Sequence, residues 1–257
     1  MRNAIKADIR RVQSKAGFIV CMSIMVLLIV LAGVLAKFLP LRLNGVRDSV
    51  KSMELYGTAA LFFFPLLVGI PIFTAIYSDD FKSRSMQTAI GFGMTRYKLI
   101  WARFFEGLIL LIETAVVFSL VYFAMEKLAG VGTDKILENI AVDIWIRDFK
   151  ILGFLCISLI VVYGTQKPSG GLVLFIILLT GVFSAIASAV DFIPFLKERN
   201  IELSKYFPSV VITALQEAVT DGNLKDGILN FLGFAVFYII LPVFVSIGLF
   251  ERKELDF

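Results

Sequence analysis

Apolar residues in this chain come in blocks of about twenty rather than alternating with polar ones. A helix rises about 1.5 Å per residue and a bilayer's hydrocarbon core is about 30 Å thick, so a block of that size is long enough to cross. Six windows qualify: 17–38, 55–77, 99–123, 145–163, 171–190 and 228–250. The first is free of charge between Lys15 and Lys37, and the second between Glu54 and Asp79. The third carries Arg103, Glu106 and Glu113, while Arg147, Asp148 and Lys150 crowd the start of the fourth. The pattern predicts an all-α membrane protein with six spans and one transmembrane domain over residues 1–257. The first block is longer than the 7–15 residues typical of a signal core, and no small-residue cleavage site precedes Arg42–Lys51, so it is expected to be retained.

Residues 1–15 predict a short amphipathic helix. Ala4, Ile5, Ile9 and Val12 share a stripe, with Lys6, Arg10 and Arg11 elsewhere on the circumference. Such a helix would lie in the membrane interface with its bases toward anionic headgroups. Six spans put both termini on one side. The 25 Lys and Arg divide twelve to a side, with Arg103 inside a span, but five of the first fifteen residues are basic and one is acidic. The first helix usually dominates orientation, so both termini are expected in the cytoplasm. On the opposite side, 40–54 reads as a short basic connection, and 126–143 offers Thr133 or Asp134 as a helix cap after a flexible Gly130–Gly132 turn. The segment 191–226 is the longest. It is expected to be an extracellular helical loop, with a helix from Pro208 to about Val219 stopped by Asp221–Gly222–Asn223.

Composition then prunes the chemistry. The chain is 58% apolar and 18% charged with a mean hydropathy of +0.87, against about 25% charged in soluble domains, which excludes an ordinary soluble globule, a disordered chain and a disulfide-stapled module. Histidine is absent, so no His base or His-ligated metal is available. Cys21 and Cys156 sit in separate apolar blocks as small hydrophobes and are too few for a Cys-rich zinc site. No catalytic residue, metal or nucleic-acid partner is expected. No G-x-x-x-x-G-K-[ST] loop occurs, so the chain lacks the amides and lysine that hold the phosphates of ATP.

The second and third windows are joined by residues 79–98, about twenty residues of mixed charge. Ser83 or Ser85 is placed to cap a short helix with apolar Met86, Ala89 and Ile90; Gly91 and Gly93 end it, and Thr95 caps the next. A short helix with exposed apolar side chains between two spans suits docking on a partner protein. An ordinary solvated loop is the alternative.

This stretch resembles the cytoplasmic coupling segment of type-2 ATP-binding-cassette exporter permeases. Asp80 matches the acid position, Ser85 stands where threonine is common, and Thr95–Arg96–Tyr97–Lys98 matches the exit into the third span. The basic amphipathic start, six spans, outer helical region and charged tail match the layout too. Ser85 in place of threonine, and Arg103 where lysine is often found, are the departures. The resemblance implies a permease in a bacterial cell membrane, paired with a second copy or close paralogue and driven by two copies of a separate ATPase that carries the ATP and Mg2+. It implies that Asp80, Lys82, Arg84, Ser85, Met86, Ala89, Ile90, Gly93 and Arg96 couple to that ATPase. Within the family it is similar to small permeases that export, or give immunity to, amphipathic peptides.

Charges inside a span cost about 2.5–3.5 kcal/mol at the bilayer centre. Arg103 and Glu106 are spaced to pair at i, i+3, and Glu113 lies two turns beyond Glu106 on the same face. These three read either as a polar lining or subunit contact of a translocation path, or as interfacial and locally hydrogen-bonded groups. Pro65 and Pro71 interrupt the second span; such breaks often border a substrate path and also occur for packing alone. Gly181, Ser184, Ala185, Ala187 and Ser188 offer a small-residue face in the fifth span. A self-sufficient secondary transporter or channel, a membrane scaffold, and an intramembrane enzyme are the competing classes. The last lacks a His, a G-x-S-x-G or an intramembrane Asp pair.

Overall fold

The computed structural model describes residues 2–43, 46–78, 85–129, 136–191, 203–220 and 222–252. Helix α1 (Arg2–Gln13) precedes α2 (Ala16–Phe38). Strands β1 (Leu41–Leu43) and β2 (Val46–Asp48) pair antiparallel, Leu41 opposite Asp48 and Leu43 opposite Val46, within the short basic connection. Helix α3 (Ser49–Phe62) leads through a π-helical turn (Pro65–Gly69), α4 (Ile70–Phe73) and a second π turn (Thr74–Ser78). Then come α5 (Ser85–Gly91), α6 (Arg96–Ala129), α7 (Ile136–Thr165), α8 (Pro168–Thr180) and α9 (Val182–Asp191). A 3-10 turn (Leu203–Tyr206), α10 (Pro208–Thr220), α11 (Leu224–Phe234), a π turn (Ala235–Ile240) and α12 (Leu241–Arg252) complete the described chain.

Among the described residues four helical stretches are long and apolar enough to cross a membrane: Ala16–Phe38, Lys51–Ser78, Arg96–Leu128 and Lys225–Arg252. Their outer sides expose Leu27, Leu120 and Phe237, apolar surface that a bilayer covers and water would not tolerate. The protein is membrane-embedded and helical. The windows 145–163 and 171–190 take other forms. Helix α7 starts nine residues earlier, because Asp143, Arg147 and Asp148 find places inside the helical body. The second window is two helices, α8 and α9, broken at Gly181, whose φ of +72° belongs to the left-handed region that glycine reaches without strain. Gly181 thus ends a helix. Outside the described residues lie Thr133 and Asp134, expected as a cap.

Close contacts give the directions of the helices. Lys15 Nζ donates to the carbonyl of Ala75 at 3.2 Å, and Arg96 donates to that of Phe250 at 2.8 Å, which gathers both ends of the described chain and the entry to α6 on one face, here the terminal face. Away from it, Gly33 on α2 faces Met125 and Gly57 on α3 faces Tyr122. Helix α7 lies innermost, with Ile151, Leu152, Phe154, Leu155 and Cys156 buried. Against it α11 lays an aromatic seam: the Phe149 ring stacks on Phe231 at 4.6 Å and meets Phe234 at 4.9 Å.

The broken helices are repaired by side chains. Proline has no N–H, so Pro65 leaves the carbonyl four residues earlier, that of Leu61, without its helical donor. Arg147 Nη1 supplies one at 3.2 Å. Its Nε meets Asp143 Oδ2 at 2.8 Å, and Asp143 Oδ1 accepts from Gln216 on α10 at 3.0 Å. One chain of polar contacts thereby ties α3, α7 and α10. Near Pro71 and Pro242 hydroxyls cover neighbouring carbonyls: Thr74 donates to Ile70 and Pro71, and Ser246 to Pro242. Helix α10 closes as its sequence predicts, with the amide of Asn223 on the Ala218 carbonyl at 2.9 Å and Gly222 at a φ of +73°.

Two substitutions test this packing. A Cβ at Gly153 would stand 2.5 Å from the Phe234 ring. Gly153→Ala is therefore expected to cost about 1–3 kcal/mol, read as a lower melting temperature in detergent, with Phe234→Leu in the same chain recovering part of it. Arg147→Met leaves the Leu61 carbonyl unmet and takes the counter-charge from a buried Asp143, which keeps only the Gln216 amide. The expected loss is about 3–5 kcal/mol, larger than that of Asp143→Asn, by the same melting measurement.

Candidate functional site

The coupling stretch is visible from Ser85 onward; Asp80, Lys82, Arg84 and the alternative cap Ser83 lie outside the described residues. Seven residues, Ser85–Gly91, form α5. Its end is closed by two backbone bonds, from Gly93 to the Ile90 carbonyl at 2.9 Å and from Met94 to the Ala89 carbonyl at 3.0 Å, with Gly93 at a φ of +87°. This pair is the Schellman closure, and only glycine takes the left-handed position cheaply. Thr95 then accepts the Leu99 amide at 3.1 Å and α6 begins. The short helix is therefore jointed to the third apolar helix at Gly93 and does not run continuously into it.

Which side chains α5 presents differs from expectation. Met86, expected on an exposed docking stripe, is buried, and Ala89, Ile90 and Met94 pack half-buried against the same core. A helix this short has one apolar stripe, and it is used on the chain's own body. The outer side carries Phe92, 88% exposed and the most exposed large apolar side chain among the described residues. Arg96 is also engaged: it donates to the carbonyls of Phe250 and Glu251 (2.8 and 3.2 Å) and lies over the Phe250 ring at 5.4 Å. A cation on the last carbonyls of α12 answers groups that have no helical partner of their own.

The charges of the third window separate into two environments. Arg103 Nη1 meets Glu106 Oε2 at 2.6 Å and Asp8 Oδ2 on α1 at 2.7 Å, with Arg103 and Glu106 buried. The i, i+3 pair is thus present, and the third member comes from the amino-terminal helix. Arg11 joins through Asp8 at 3.5 Å. Glu113 instead is exposed and accepts from Gln13 Nε2 at 2.7 Å. Glu106 is thus buried beside Arg103, whereas Glu113, two turns on, is exposed and bonded to the end of α1. The two ties, Asp8 to Arg103 and Gln13 to Glu113, run α1 alongside α6 in the same direction. The Leu61 carbonyl that Pro65 leaves without a donor is met by Arg147 on α7, and Pro71 lies in α4 between the two π turns.

Among the described residues every buried charged side chain stands on α6 or α7: Arg103, Glu106, Glu126, Asp143 and Asp148. Glu126 and Asp148 have neither carboxylate oxygen hydrogen-bonded, and the Tyr122 hydroxyl, one turn before Glu126, is likewise unmet. These acids were not legible as site residues. Glu126 sits beside Lys127 at the end of a predicted span and reads as the start of a loop. A predicted boundary at residue 145 divides Asp143 from Arg147, although their i, i+4 spacing is a usable pairing signal.

No protein-family model, curated protein or solved structure matches the chain.

Removing Arg103 would strand Glu106 in an apolar setting and leave Asp8 with Arg11 alone. Arg103→Met is expected to destabilise by about 3–5 kcal/mol, and adding Glu106→Gln and Asp8→Asn should restore most of the loss. Melting temperature and yield of folded protein from membranes check both.

Proposed function

We propose that this chain is the membrane-spanning permease subunit of an ATP-driven exporter, acting as a pair and driven by two copies of a separate ATPase on the cytoplasmic side. In this reading the chain passes the membrane six times: the four long apolar stretches, α7, and the broken α8–α9. The terminal face is cytoplasmic, and the segment 191–226 is extracellular.

The observation that carries the reading is α5 with Phe92. A force received from outside needs a contact that is free and a foot that is held. Phe92 is free, while Met86 is packed in the core, which is too dense to yield without moving its neighbours. The Gly93 joint lets α5 tilt while α6 keeps its own axis. The docking contact therefore moves from the Met86 stripe to Phe92, and Asp80, Lys82, Arg84 and Ser85 complete the face by resemblance. The buried charges on α6 and α7, with Glu113 at their margin, border the translocation path. The cargo is amphipathic, with a peptide as the leading class.

Affinity purification of the full chain from its native membrane tests this. The wild type should retain a P-loop ATPase and hydrolyse ATP. Phe92→Asp should lower retention about tenfold, a loss of about 1.4 kcal/mol, without altering the melting temperature. A wild-type preparation with no ATPase, or a Phe92→Asp chain that keeps it fully, overturns the proposal.

A further inference from the structure

Between α1 and the first half of α6 lies a groove of about 660 Å³, within the roughly 300–1,000 Å³ range of small-molecule sites. Ile5, Ile9, Phe105 and Ile109 line it, and Lys6 and Arg10 stand on the same wall as Ile5 and Ile9. Lys6 and Arg10 are four residues apart, hence one above the other on a single helix face.

The charge on α1 is sorted. Its one acid, Asp8, is turned to Arg103 and Arg11 on the covered side. Lys6 and Arg10 are exposed and form no ion pair among the described residues, so the groove holds two cations toward one end and the Glu113 carboxylate at the other, and stays net positive. At the other end the bonded Gln13 and Glu113 side chains line the groove. Past Glu113 the same face of α6 continues with exposed Val116, Val117 and Leu120. The first long apolar helix starts at Ala16, three residues after Gln13, so the cations stand where the chain enters the membrane.

We infer that this groove is a binding site for one anionic phospholipid of the surrounding bilayer. Lys6 and Arg10 hold its phosphate, the apolar walls take the start of its acyl chains, and the chains continue along the Val116–Leu120 face. Charge complementarity selects this occupant. Two unneutralised cations beside an apolar channel match a negative headgroup on a hydrocarbon tail. A zwitterionic lipid offers the same phosphate but brings its own ammonium to a site that already holds two cations, and a free phosphate would leave the channel empty.

The test uses the full chain in micelles with equimolar phosphatidylglycerol and phosphatidylcholine of matched chains, reading bound lipid by native mass spectrometry. The wild type should prefer phosphatidylglycerol by about tenfold, and Lys6→Ala with Arg10→Ala should bring the ratio near one. Both side chains are exposed, so an unchanged melting temperature is expected. A charge-matched control, Lys37→Ala with Lys225→Ala, should keep the preference. Equal binding of both lipids, an unaltered preference in the Lys6/Arg10 variant, or an equal loss in the control overturns the inference. So does displacement of the lipid by inorganic phosphate, which would mark a free-anion site. Dissociation of a dimer by the same two substitutions would mark a second copy as the occupant and overturn it as well.

Discussion

A polar group placed among hydrocarbon has no water to turn to, and this one constraint organises the molecule. Pro65 exposes the carbonyl of Leu61; Arg147 meets it, Asp143 balances Arg147, and Gln216 holds Asp143. Each member is in place because the previous one would otherwise be unmet. A helix break in one apolar stretch thereby determines how α7 lies beside it and where the outer helix α10 docks. The Arg103 centre obeys the same rule, with Glu106 and Asp8 sharing one guanidinium nitrogen and α1 drawn against α6 as the result.

These two polar centres anchor opposite parts of the fold, and what lies between them is dispersion packing. The stacked Phe149 and Phe231, and the Phe234 ring seated where Gly153 has no side chain, hold α11 to α7. Such packing resists deformation, and Met86 of α5 is seated in the same core. The terminal face is also where Arg96 fastens the end of α12 to the start of α6. The entry of α6, just after α5, and the last helix therefore meet on this face. The groove between α1 and α6 opens beside it.

Much of this could be read before any coordinates. The first three apolar windows and the last coincide with helices, and the amphipathic start is α1. The Pro208 helix ends at its Asp-Gly-Asn signal, and Gly93 closes α5. Those features depend on apolar run length, proline's missing donor and glycine's reach into left-handed space, all local properties. The fourth and fifth windows were drawn differently for an equally physical reason. Charge within a window counts against a span only until a partner removes its cost, and Asp143 and Arg147 supply each other. Gly181 counted as a small residue for close packing because composition does not reveal a backbone angle.

The sequence alone determined that the chain lives in a membrane, where its longest apolar helices run, and that a short helix stands between two of them. Those facts follow from nearest-neighbour chemistry along the chain. Only the tertiary structure decided which face of α5 is spent on the core, that Phe92 and not Met86 remains outside, and that Asp8 serves Arg103 ninety-five residues away. A helical wheel gives every side chain a direction but not a neighbour. Whether a direction ends in lipid, water or protein is settled by which other helix arrives there, and that depends on the balance of all the buried charges and packed rings together.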